Sequence, residues 1–119
     1  MTKYKSKKVT IDGIKFDSKA EADYYLHLKA LEKKGFISDI KLQPKFLLQP
    51  KFIKNNKKYR DMYYVADFSF EVKGQVIVID VKGLPTETAK LKRKLFDYRY
   101  KEIKLVWVKK KSKRWVRVW

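Results

Sequence analysis

The chain has 119 residues, with 31 Lys and Arg against 13 Asp and Glu, for a formal net charge of +18. At 45% hydrophobic and 15% aromatic it is too apolar for a disordered basic tail, and the length predicts a single folded domain over 1–119. It has no cysteine and one histidine, His27, which excludes disulfide scaffolds, thiol nucleophiles and zinc sites built from Cys or several His.

In chain order, Lys7 to Phe16 predicts a short hairpin, because Val9, Ile11, Ile14 and Phe16 flank Asp12-Gly13, a dipeptide suited to a tight primed turn. Asp17-Ser18 supplies an N-cap. Ala20, Tyr24, Leu28 and Leu31 then recur at helical spacing until Gly35 stops the helix. Phe36 to Leu48 reads as extended chain broken by Pro44 and Pro50, followed by the polar, basic stretch Lys51 to Arg60 with a turn at Asn55-Asn56. Met62 to Val72 and Gln75 to Lys82 are β-rich runs separated by Lys73-Gly74. Leu84-Pro85-Thr86 opens a second helix to about Tyr100, with Leu91 and Leu95 on one side, and Lys104–Lys109 and Arg114–Trp119 are two more strands. The order hairpin-α-β-β-β-α-β-β predicts an α/β fold around a mixed sheet.

No apolar run approaches the ~18 residues of a membrane span, and the basic N-terminus lacks the apolar core of a signal peptide, so a cytoplasmic domain is expected. The excess positive charge makes nucleic acid the leading partner. In such a protein the scarce acids are informative. If Lys73-Gly74 is a two-residue loop, Val72 faces Gln75 and Asp67 lies directly opposite Asp80, with Cβ atoms about 4.5–5.5 Å apart. Lys82 shares a strand face with Asp80. Ile77, Ile79 and Val81 would then join Ala66, Phe68, Phe70 and Val72 on one apolar face, leaving Asp67, Asp80 and Lys82 on the other. Glu21, in the first turn of helix one, borders that helix's inward face and is a third candidate. Converging carboxylates suit Mg²⁺ or Mn²⁺, and such an ion beside a lysine suits phosphodiester hydrolysis.

The set Glu21, Asp67 and Asp80-Val81-Lys82, with GIKFDSKAEADYYLHLKALEKKG, VADF and VIDVKG, resembles the PD-(D/E)xK nuclease superfamily, which includes restriction endonucleases and phage Holliday-junction resolvases. The resemblance runs from Asp12 to about Trp107 and is strongest to small phage-encoded nucleases. It implies a restriction-endonuclease-like sheet flanked by helices, metal ligation by Glu21, Asp67, Asp80 and the Val81 carbonyl, and Lys82 serving the attacking water. Gln43, before Pro44, stands where related nucleases place a supporting polar residue, and Ala66 replaces the motif's proline.

Plainer readings sit beside these. Ser18-x-x-Glu21 is a capping box, Asp80 and Lys82 suit a solvated ion pair, and His27 suits packing or surface. Tyr24, Tyr25, Tyr63 and Tyr64 suit the edge of a core rather than base stacking. Lys90, Arg93 and Lys94 form a basic face on helix two, which joins Lys54, Lys57, Lys58 and Arg60 as candidate DNA contacts. The expected function is a divalent-metal-dependent endodeoxyribonuclease acting on branched DNA as a junction resolvase, in a bacterial or phage-infected cell. Symmetric cutting would need a homodimer. Trp107, Trp115, Val116 and Trp119 are either its apolar surface or cover for the core. The rival expectations are a nicking or restriction-type nuclease, a non-catalytic nucleic-acid-binding domain, and an assembly protein of a particle.

Overall fold

The computed structural model describes residues 8–119, so Lys7 of the expected hairpin lies outside the described residues. Strands β1 (Val9–Ile11) and β2 (Ile14–Phe16) form that hairpin. Its turn places Asp12 and Gly13 at φ 53° and 76°, the left-handed values that a primed turn requires. Helix α1 (Lys19–Lys33) begins at Ser18, whose Oγ accepts the Glu21 N–H at 3.1 Å. It ends at Gly35, where the Gly35 and Phe36 N–H groups return to the Glu32 and Leu31 carbonyls in a Schellman arrangement.

Seven strands, rather than the expected three, separate the helices: β3 (Ser38–Leu42), β4 (Lys45–Gln49), β5 (Phe52–Lys54), β6 (Lys57–Tyr59), β7 (Met62–Val65), β8 (Phe68–Val72) and β9 (Gln75–Val81). Helix α2 (Glu87–Arg99), capped by Thr86, leads to β10 (Lys104–Lys111) and β11 (Arg114–Arg117). The main sheet has the order β11-β10-β9-β8-β3, parallel only between β9 and β10. The run from Met62 to Val72 is therefore not one strand. It leaves the main sheet at Ala66–Asp67 to pair, as β7, with β4. Its partner breaks at the same level, at Gln43–Pro44, and the two breaks are joined by Gln43 N–H to Asp67 O and Ala66 N–H to Pro44 O, both 3.0 Å.

Both faces of the sheet are covered, which corrects the expectation of one apolar and one polar face. On one side α1 and the β1–β2 hairpin pack Phe16, Tyr24 and Leu28 against Phe68, Phe70 and Ile79. On the other, Phe96 of α2 and Tyr64 of β7 pack on Val78 and Trp107. Ala66 belongs to this second core, because the bend turns it away from Phe68 and Phe70. Trp107 is fully buried and Trp115 stacks edge-on against Tyr24 at 4.8 Å, so these two tryptophans cover the core, whereas Val116 is half-buried and Trp119, beside Trp107, is exposed together with Val118. The inward side of α2 is Ala89, Arg93, Phe96 and Tyr100, whereas Leu91 is 59% exposed and Leu95 lies outside too.

Candidate active site

Lys73 and Gly74, at φ 50° and 81°, close a two-residue loop, and Val72 pairs with Gln75. That register continues through Phe68 and Ile79, so Asp67 arrives opposite Asp80 as the loop predicts. The two acids meet by exchanging backbone contacts. Asp80 Oδ1 accepts the Asp67 N–H at 2.8 Å, and Asp67 Oδ2 accepts the Val81 N–H at 2.8 Å. The Asp67 N–H is shared, because it also meets the Ile79 carbonyl at 3.2 Å, so the pair is tied to the β8–β9 ladder where the chain bends after Ala66.

Asp80 is 2% exposed. Its Oδ2 accepts the Tyr64 hydroxyl, and Tyr64 Oη in turn accepts Trp107 Nε1–H at 2.7 Å. Lys82 Nζ lies 4.0 Å from Asp80 Oδ2 and 5.4 Å from the Trp107 ring centroid. Burial, then the Asp80 charge and the more distant Glu21, push the Asp67 carboxyl up to about 7, against a smaller opposing effect of the Val81 N–H. Burial also raises Asp80, opposed by Tyr64, Lys82 and the Asp67 amide. Glu21 is raised by burial and by Asp17 and Asp80, and lowered by the Asp17 backbone N–H and by Lys82. Its side chain is thus within electrostatic reach of both partners, while its own amide makes the Ser18 half of the capping box.

The first turn of α1 borders two depressions, Glu21 lining one and Ala20 the other. A pocket of about 130 Å³ is lined by Glu21, Asp67, Gln43, Leu42 and Phe68. A second, of about 320 Å³, is lined by Lys82, Gly83, Ala20, Lys109 and Lys110. Glu21, Asp67 and Gln43 therefore share one cavity, Lys82 opens into its neighbour, and Asp80 is buried. Among the described residues, no three His, Cys, Asp or Glu side chains stand grouped as a metal site. The donor chemistry still suits a hard divalent cation. The donors are carboxylates, each charged oxygen can accept twice, and an added cation relieves the repulsion that raises them.

Of the candidate phosphate contacts, Lys54, Lys57, Lys58, Arg60, Lys90 and Lys94 are exposed, although Lys90 also meets Glu87 at 3.3 Å. Arg93 does not belong with them. It is 4% exposed, and its guanidinium donates to Asp97 at 3.0 Å, to the Trp119 carbonyl at 3.3 Å and to the Leu105 carbonyl at 2.7 Å. His27 is exposed on α1, beside the Tyr24 ring.

A family model described as "Protein of unknown function (DUF1064)" matches residues 1–115. The chain belongs to the DUF1064 family. No curated protein and no solved structure matches it. In this DUF1064 chain the residues that sequence reasoning missed are Tyr64 and Trp107, which complete the hydrogen bonding of Asp80. The only signal for them is the polar tip that a buried Tyr or Trp must satisfy. The partner itself follows from the register of β10, which pairs Trp107 with Asp80. No helix among the described residues is long and apolar enough to cross a membrane.

Proposed function

We propose that the chain is a divalent-metal-dependent endodeoxyribonuclease of the PD-(D/E)xK type, with a restriction-endonuclease-like fold, acting on branched DNA. The observation that carries this reading is the Asp67–Asp80 pair. Two acids exchange backbone contacts, one is pushed up to about 7, and a lysine stands 4.0 Å from the other. A protein with 31 basic residues has ample cations to neutralise a structural carboxylate pair, yet this pair is given one ammonium and a pocket. Raised carboxyl pKa values of this origin concentrate at functional sites.

Mg²⁺ or Mn²⁺, held by Asp67, Asp80 and Glu21 with the Val81 carbonyl, would supply Lewis acidity at the scissile phosphate and a hydroxide near neutral pH. The chain's own residues do the positioning. Tyr64, anchored by Trp107, fixes Asp80 Oδ2, and the Asp67 amide fixes Oδ1. Asp80 and the Trp107 ring hold the Lys82 ammonium, which orients a water or steadies negative charge. Gln43 supplies a neutral polar group at the rim of the Asp67 pocket. Lys90, Lys94 and the basic stretch from Lys54 to Arg60 give backbone affinity without sequence information. With the fold occupied by one site, shape is the recognisable feature of the substrate, and paired cutting of a junction calls for two chains.

Wild type and Asp80→Asn are incubated with a four-way junction, a linear duplex and single-stranded DNA, with Mg²⁺ or Mn²⁺. The expected result is paired nicks on the junction, lost by at least about 100-fold in the variant. Equal cutting of plain duplex makes the chain a nicking or restriction-type nuclease instead. Salt-sensitive binding without metal-dependent cutting leaves a non-catalytic DNA-binding domain.

A further inference from the structure

We propose that β5 and β6 form an arm that enters the major groove of duplex DNA and grips it at a distance from the carboxylates. The ligand's identity rests on the nucleic-acid reading above, whereas the grip does not depend on catalysis. Every residue from Lys51 to Arg60 is exposed, and the segment holds five cations and no acid. The two strands pair only with each other, through Phe52 with Tyr59, Ile53 with Lys58 and Lys54 with Lys57, around Asn55 and Asn56 at φ 52° and 63°. They stand apart from the main sheet as a separate two-stranded ribbon.

Three features of the arm point to an outside partner. Lys54 and Lys57 sit directly opposite one another, a like-charge pair that weakens a ladder. Among the described residues, none of the arm's five cations forms an ion pair with a carboxylate. The arm also leaves Ile53 69% exposed, on the face it shares with Lys58. The strain is held by the turn and by Phe52 stacked on Tyr59, with ring centroids 4.5 Å apart and planes within 6°. A ribbon whose cations have no carboxylate partner, with Lys57 over the Tyr59 ring at 5.2 Å, and which bears an exposed apolar residue, suits a polyanion whose groove offers both phosphates and apolar base edges. Its dimensions select the groove. Two strands about 4.8 Å apart, each about 10 Å long, enter a B-form major groove roughly 12 Å wide and 8.5 Å deep. The deep, narrow major groove of an A-form RNA duplex does not admit them. β7 (Met62–Val65) separates Arg60 from Asp67, and Lys54, Lys57 and Lys58 lie further along the chain still, so the grip falls away from the carboxylates.

The test is binding of the full chain to a fluorescent linear duplex in EDTA, where no cleavage takes place. The slope of log K against log [NaCl] is compared for wild type, the triple variant K54A/K57A/K58A, and a control with the same charge removed, K33A/K34A/K101A. Each lost phosphate contact lowers the slope by about 0.9, so the arm variant should lose about 2–3 and the control under about 1. Methyl green, a major-groove ligand, should displace wild type, and distamycin, a minor-groove ligand, should not. Circular dichroism identical to wild type checks the fold of both variants. Equal slope changes in the two triple variants, displacement by distamycin alone, or RNA duplex bound as tightly as DNA would each overturn the proposal. Because metal is absent throughout, a failed nuclease assay leaves this result standing, and a failed grip leaves cleavage untouched.

Discussion

Asp67 and Asp80 each accept a backbone N–H from the neighbourhood of the other, so the pair is held together by the main chain as well as by the fold around it. The proton balance follows. Asp67 binds a proton more tightly in the folded chain, at about 7, than at its ordinary 3.8. Its contribution to stability is therefore complete below about pH 4 and lost as pH rises through 7. Urea unfolding of metal-free protein should show stability falling between pH 5 and 8, and Asp67→Asn should flatten that fall, by on the order of a few kcal/mol at pH 8. A variant as pH-dependent as wild type would remove Asp67 as the source. This pair was legible in the sequence because Lys73-Gly74 specifies a loop length, and loop length specifies who faces whom. Tyr64 was not legible. Its bond to Asp80 needs the bend at Ala66–Asp67, and although Pro44 marks a break in the partner, nothing in the pattern says which way β7 turns.

At the scale of elements, α1 was legible at both ends because its cap residues have one physical use each: Ser18 takes an orphan amide and Gly35 adopts φ +81°. Helix α2 was misjudged, since Leu91 and Leu95 looked like its buried side while the buried positions are Arg93 and Phe96. An arginine stem is apolar, and its fork can satisfy main-chain carbonyls that a leucine would leave unpaired. Arg93→Ala removes the donors to Leu105, Trp119 and Asp97 and should cost on the order of 3 kcal/mol in urea unfolding. The double variant K90A/K94A, on the exposed side, should stay within about 0.5 kcal/mol per site. Equal losses would mean that Arg93 acts only as surface charge. The division of β4 from β3 and β7 from β8 escaped the sequence for a different reason. Pro44 marks the break in one run, but the pattern alone does not say which neighbour each half pairs with.

For the whole molecule, +18 on 119 residues is a load that the fold carries at a cost. The acids that pair on the surface, such as Asp23 with Lys19 and Lys110 at 3.2 and 3.1 Å, are too few to offset it. Self-repulsion of exposed charges is screened over a Debye length of about 30 Å at 0.01 M salt and about 10 Å at 0.1 M. Over that range the melting temperature should rise with NaCl, while DNA affinity falls. A melting temperature that drops with salt would show that the ion pairs outweigh the repulsion.

The shared break at Gln43–Pro44 and Ala66–Asp67 makes the β4–β7 ladder a lever with its fulcrum beside a carboxylate. Among the described residues the Gln43 and Ala66 amides bond across the joint and the Asp67 amide meets the Ile79 carbonyl, while the segments on either side are braced by their own pairing. The ladder is also tied to α2, through Arg99 to the Leu48 carbonyl and Tyr100 to the Leu47 carbonyl, so a shift of that helix would be passed down the ladder to the peptide of Asp67, the residue whose amide and side chain both engage the strand that carries Asp80.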